Sequence, residues 1–184
     1  MSYLQIAISW RDNSTNESGF EVHRSTSGAS GVFSILASTA AGVTSLSDNG
    51  LTPSSEFCYK IRAFRTIGSK KGSSAFSNTP CATTPPPPAP SNTDARPLGS
   101  TTVEVTWVDN TTIETGFRLE RSIDHGASWM RLITTAPSAA RASDFGRSAE
   151  SPELCYRVIA VASSGESAPS NTDCTTPPAA PTNL

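Results

Sequence analysis

One stretch of this chain is written twice. Residues 10–25 read WRDNSTNESGFEVHRS and residues 107–122 read WVDNTTIETGFRLERS, with nine of sixteen positions identical and no gap, at an offset of 97. A second block, Cys58-Tyr59-Lys60-Ile61-Arg62-Ala63, matches Cys155-Tyr156-Arg157-Val158-Ile159-Ala160 at the same offset. A third, Ser77-Asn78-Thr79-Pro80-Cys81, matches Ser170-Asn171-Thr172-Asp173-Cys174 at an offset of 93. The second copy is therefore shorter between its last two blocks, where a hairpin loop absorbs a change of length. Solenoid repeats run to about 20–50 residues, so a period of 93–97 residues marks an independent domain, and 184 residues hold two of them.

Within each copy the apolar residues alternate with polar ones. Ile6-Ala7-Ile8-Ser9-Trp10, Val103-Glu104-Val105-Thr106-Trp107, Phe20-Glu21-Val22-His23-Arg24 and residues 57–63 all follow a period of two, the signature of half-buried strands. Turn clusters separate them: Asp12-Asn13-Ser14, Thr26-Ser27-Gly28, Asp48-Asn49-Gly50 and Asp124-His125-Gly126. No stretch has a helical period with caps. The fold class expected is all-β, each copy a sandwich of two antiparallel sheets. The copies are joined by Pro85-Pro86-Pro87-Pro88-Ala89-Pro90. Such a run favours extended polyproline II at about 3.1 Å per residue, a stiff spacer of about 15–20 Å.

Lys and Arg number 14 against 16 Asp and Glu, a net charge of -2, which excludes a generic basic surface for nucleic acid and a polybasic membrane anchor. No apolar run approaches the roughly 20 residues of a membrane span. Met1-Ser2-Tyr3-Leu4-Gln5 has neither the basic nor the apolar region of a secretion signal; the expectation is a removed signal or a start inside a longer protein.

Four cysteines allow three pairings. On the strand through residues 57–63 the inward set is Phe57, Tyr59, Ile61 and Ala63, so Cys58 points outward. Placing Cys58 opposite Cys81 puts the hairpin turn in residues 66–73, which contain Gly68, Lys70, Lys71 and Gly72. Placing Cys155 opposite Cys174 puts the second turn at Ser163-Ser164-Gly165-Glu166. Both turns fall on turn-forming residues. Disulfides Cys58–Cys81 and Cys155–Cys174 are expected, as exposed cross-strand bridges that imply an oxidising compartment. No Cys-x-x-Cys metal motif is present.

Together these residues resemble fibronectin type III domains, particularly the bacterial variety. The resemblance rests on Trp-x-Asp-Asn followed by Glu-x-Gly-Phe in both copies, on the Tyr-x-Ile/Val-x-Ala strand and on the closing Ser-Asn. It implies two Greek-key, immunoglobulin-like sandwiches. It places Trp10 and Trp107 on strand B, Phe20 and Phe117 at the start of strand C, Tyr59 and Tyr156 on strand F, and Ser77 and Ser170 on strand G. Trp10, Phe20, Tyr59, Trp107, Phe117 and Tyr156 become the expected core. The family's tyrosine corner is absent: Leu51-Thr52-Pro53 leads to Phe57, and the second copy has Leu154 there. Another contact is expected to brace that end.

No catalytic, metal or cofactor residues are expected, and the chain is not expected to be an enzyme. His23 lies on a strand beside Glu21 and is expected to be exposed; His125 is a turn residue. The acids repeated in both copies, Asp12/Asp109 and Glu17/Glu114, are either Ca²⁺ ligands or, more plainly, turn residues bonded to nearby backbone amides. Asn13, Asn16 and Asn110 head glycosylation sequons, which matter only in a glycosylating host.

The two copies differ at their ends. The second has a long lead-in, residues 89–102, where the resemblance places strand A; the first has only residues 1–9, enough for strand B. Yet the chain closes on Ala180, Pro181, Thr182, Asn183 and Leu184, similar to Ala89-Pro90-Ser91-Asn92-Thr93. The domain reading is thus 1–84 without strand A, a linker 85–90, a complete domain 91–176, and a tail 177–184 that begins another strand A. Either the chain was cut from a longer array, or the tail of one subunit supplies the edge strand of the next, or the first domain tolerates the absence of strand A. The expected function is an extracellular structural or adhesive module, with head-to-tail self-association or neighbouring domains of one array as partners. The alternative is a spacer in a secreted polysaccharide-degrading enzyme, with carbohydrate as ligand. Its one candidate platform is Trp129, whose counterpart is Val32 or Phe33. A ligand-binding receptor pair is a third reading.

Overall fold

Wherever apolar and polar residues alternate, the backbone is a strand. The computed structural model describes residues 4–145 and 153–178. It divides the chain into two units, residues 1–85 and 86–184, and the described residues contain strands and turns but no helix.

In the first unit β1 (Gln5–Ser9) pairs with β4 (Ser45–Asn49) as one antiparallel sheet. The other sheet has the order β3 (Ser34–Ala40), β2 (Gly19–Ser25), β5 (Glu56–Ile67), β6 (Lys70–Ser73), with β7 (Cys81–Thr83) also on β5. In the second unit β8 (Ser91–Pro97), β9 (Thr102–Val108) and β12 (Arg141–Phe145) form a three-stranded sheet with β9 in the middle. The facing sheet runs β11 (Met130–Thr134), β10 (Gly116–Ser122), β13 (Leu154–Ala162), β14 (Gly165–Glu166), with β15 (Asp173–Thr175) on β13.

Each unit has its own core. Phe20, Val22, Phe57, Tyr59 and Ile61 meet Ile8 and Leu51 in the first. Phe117, Leu119, Leu154, Tyr156 and Val158 meet Val103, Val105 and Trp107 in the second. Trp107 is buried and packs on Phe117 with ring centroids 5.5 Å apart. Trp10 packs on Phe20 in the same way, at 5.6 Å, but it is only partly buried, a departure from its expected place inside the core.

The glycine of the repeated Glu-x-Gly-Phe has a steric cause. A Cβ on Gly19 would collide with the carbonyl oxygen of Thr39, and one on Gly116 with that of Thr135. The chain passes its neighbour so closely that hydrogen alone fits.

The hairpins of β5 and β13 depart from the expected single register. Cys58 is opposite Cys81, but Phe64 is opposite Ser73 and Ile67 opposite Lys70. The turn is therefore tight, at Gly68 and Ser69, not spread over residues 66–73. The slip is absorbed by residues 74–80, which are not strand, so Ser77 and Ser170 lie beside the last strand and not on it. There serine hydroxyls do the work of ladder carbonyls. Ser74 Oγ accepts from Ala63 N at 3.1 Å and Ser77 Oγ from Ile61 N at 3.0 Å. Ser167 and Ser170 accept from Ala160 and Val158 at 2.9 and 3.0 Å in the second unit.

Replacing Gly116 with alanine is expected to destabilise the second unit by about 2 kcal/mol or more, read as a lower denaturant midpoint; an unchanged midpoint would show that the backbone has room to retreat.

Candidate interaction site

The two sheets of each unit are pinned by the same three side chains. In the first, the Asp48 carboxylate on β4 accepts from Tyr59 Oη on β5 at 2.8 Å and from Arg24 Nη1 on β2 at 2.9 and 3.0 Å. In the second, Asp144 on β12 accepts from Tyr156 Oη at 2.9 Å and from Arg121 Nη1 at 2.8 Å. Burial, together with the bond to Asp48, pushes the Tyr59 hydroxyl well above its ordinary pKa. Sequence reasoning missed Arg24, Asp48, Arg121 and Asp144 as a set, although the arginines close the repeated sixteen-residue block. The missing tyrosine corner has its own substitute in the first unit. Thr84 Oγ1 donates to Thr52 O at 2.5 Å and accepts from Ser55 N at 3.1 Å.

The outer faces of the larger sheets carry a second repeated device with its charges rearranged. Glu21 on β2 is buried and binds Arg62 Nε at 2.7 Å and Lys71 Nζ at 2.5 Å. These cations, Lys71 first, hold its carboxyl well below the usual range, at about 2. In the second unit Glu120 binds Arg157 Nε at 2.7 Å and Arg118 Nε at 2.8 Å. His23, expected to be exposed, is buried: Glu21 lies 3.5 Å away and the Phe76 ring meets its edge at 4.8 Å. Aromatic rings are capped by cations. Arg157 covers Trp129 at 4.2 Å and Lys60 covers Phe33 at 4.2 Å. Since Lys60 and Arg157 are equivalent, Phe33 and not Val32 is the counterpart of Trp129. A ring face so covered is a poor sugar platform.

The cysteines pair as Cys58–Cys81 and Cys155–Cys174. They are less exposed than expected. Cys58 and Cys155 are fully buried, and only Cys81 and Cys174 reach the surface. The repeated loop acids bond backbone amides. Asp12 Oδ1 accepts from Ser14 N at 2.8 Å and Asp109 Oδ1 from Thr111 N at 2.9 Å. Glu114 accepts from Ser138 N at 3.0 Å. The Glu17 carboxyl is held below its ordinary pKa, first by its own backbone amide and then by Ser14. His125 has a left-handed φ of 56° in its turn and lies 2.9 Å from Glu153. In that turn the Ser122 hydroxyl, with Ser128, holds the Asp124 carboxyl at about 2.

The units differ at one edge. In the second, β8 lies along β9 and is gripped from the other sheet by Asn171 and Asp173. In the first, β1 pairs with β4 alone among the described strands. Beside it lies an open groove of about 460 Å³, lined by Ile8, Trp10, Asn13, Ile61, Ser77 and Asn78 among others. Residues 180–184, the expected joining tail, lie outside the described residues.

A two-domain segment of chicken tenascin has the same architecture: TM-score 0.62, with 94% of this chain and 92% of that one covered at 15% identity. The fold is that of tandem fibronectin type III domains. The fibronectin domains of chicken contactin also match, at 19% identity and a TM-score of 0.44, covering 95% of this chain and 60% of theirs. No family model and no curated protein sequence matches the chain. In fibronectin terms β1 and β9 are strand B, β2 and β10 strand C, β4 and β12 strand E, β5 and β13 strand F, and β8 is strand A.

Two outcomes follow for the charged groups. Asp144→Ala strands the Arg121 guanidinium, whose side chain is 7% exposed, and costs about 3–5 kcal/mol. Asp48→Ala costs less, because the Arg24 side chain is 30% exposed and regains water; denaturant titration of both variants tests the order. Glu21 has a lowered folded-state pKa. Its contribution is complete above the unfolded pKa of about 4.3 and is lost as pH falls towards 2. Glu21→Gln should flatten that acid limb in NMR-detected urea midpoints of the first unit.

Proposed function

We propose that this chain is a non-catalytic extracellular structural and adhesive module of the bacterial fibronectin type III kind. In this reading its copies join head to tail, the C-terminal tail of one completing the first unit of the next. The observation that carries the reading is that β1 pairs with β4 alone among the described strands and lies beside an open groove, where the second unit holds strand A. An open strand edge is a template for another strand, and a head-to-tail contact that does not close on itself generates a filament. Two disulfides fit an oxidising compartment outside the cell. The partners proposed are further copies of this chain or neighbouring modules of one array.

The test is association. Concentrated protein is expected to sediment as oligomers and to show fibres by negative-stain electron microscopy, and deletion of residues 177–184 is expected to abolish both. A chain that stays monomeric at high concentration would overturn the reading.

A further inference from the structure

The second unit shows how strand A is held, residue by residue. The side chain of Asn171 grips the backbone of Thr93 at two points: Oδ1 accepts from Thr93 N and Nδ2 donates to Thr93 O, both at 2.9 Å. Asn110 Nδ2 donates to Ala89 O at 2.8 Å and to Ser91 Oγ at 2.9 Å. Between these anchors Asn92 takes a left-handed φ of 52°, which asparagine tolerates better than most residues. Further along, Asp173 Oδ2 accepts from Ala95 N at 2.7 Å.

The first unit keeps both asparagine anchors, and no described residue is bound to their side chains. Asn171 corresponds to Asn78 and Asn110 to Asn13. Both are exposed, line the groove, and make no side-chain hydrogen bond among the described residues. The apolar floor is incompletely covered as well: Trp10 is half-buried where Trp107 is 4% exposed, and Ile61 is 9% exposed where Val158 is fully buried. The third anchor is gone, because Pro80 stands where Asp173 does. The groove can thus hold the first half of a strand A at its two asparagines, but not the residue equivalent to Ala95.

Resting on the reading above, we infer that Asn13 and Asn78 form a backbone-reading clamp whose occupant is the segment Ala180–Leu184 of a second copy. That segment retains each feature the clamp needs. Ala180 stands for Ala89 and offers the same carbonyl; Thr182 stands for Ser91 and keeps the hydroxyl; Asn183 stands for Asn92 and keeps the residue suited to left-handed backbone. Leu184 stands for Thr93, which is 4% exposed. The clamp takes only its backbone N–H and C=O, so leucine is accepted and gains burial, whereas proline, having no N–H, is rejected.

The experiment uses the full chain at a dilution where it is monomeric, with a fluorescently labelled peptide of residues 177–184 and one of residues 89–97, read by polarisation and by hydrogen exchange at β1. Both peptides are expected to bind, to compete with each other, and to slow exchange in β1. Asn78→Ala and, separately, Asn13→Ala should weaken binding by about tenfold, the equivalent of one or two lost hydrogen bonds. A tail peptide carrying Leu184→Pro should not bind. Absence of binding, or binding indifferent to both asparagines and to the proline, overturns the inference. Fibres that grow undiminished with Asn78→Ala would sink the clamp and leave the assembly reading standing. Peptide binding by a chain that never assembles would do the reverse.

Discussion

A carboxylate sealed between two sheets is the constraint around which each unit is arranged. Asp48 and Asp144 sit on strand E, and each receives a tyrosine hydroxyl from strand F and a guanidinium from strand C. A buried ion is tolerable only when its lone pairs are met. Meeting them fixes three strands relative to one another, from both sheets at once. The apolar residues around them then have a defined face to fill. In a sandwich with so few charged residues, this one polar junction sets the sheet-to-sheet register more sharply than packing alone, since hydrophobic contact is not directional.

Much of this fold was legible because the chain says it twice. Alternation located the strands, and the repeat fixed the length of each unit. The phase of Phe57, Tyr59 and Ile61, with the spacing to Cys81, gave the disulfide partners. What failed to show through were features set by neighbours distant in sequence. His23 points away from the core, as its phase requires, yet it is buried, since Phe76 lies against it and Lys60 lies over that ring. Cys58 also points away from the core and is buried, between Ser25 on one neighbouring strand and its bonded partner Cys81 on the other. Local periodicity reports which face a residue takes, not what else arrives there. Arg24 and Asp48 look like ordinary surface residues until a tyrosine from another strand joins them. The slipped hairpin was hidden because serine hydroxyls can replace ladder carbonyls without disturbing the pattern of apolar residues.

The candidate site was half visible. The unequal lead-ins of the two copies pointed to strand A, and the tail could be aligned with it. The anchors themselves were present in the repeated blocks, but Asn13 read as a turn residue and sequon and Asn78 as half of the closing Ser-Asn. Only the second unit, with its strand in place, assigns them a task. The comparison works because both halves come from one chain, so the filled half is a control for the open one.

The Cys58–Cys81 bond bears on how that open half can be recognised. Ser77 and Asn78 lie in a stretch that is not strand, flanked by a four-residue β6 and a three-residue β7. Backbone pairing alone would hold such a segment loosely. The disulfide closes it, with β5 and the turn, into a covalent ring spanning a sequence separation of 23. Ring closure removes conformations from the free state, and what has already been removed need not be given up on contact. A strand that adds as proposed would therefore meet an amide whose position was settled by oxidation, long before any partner was near.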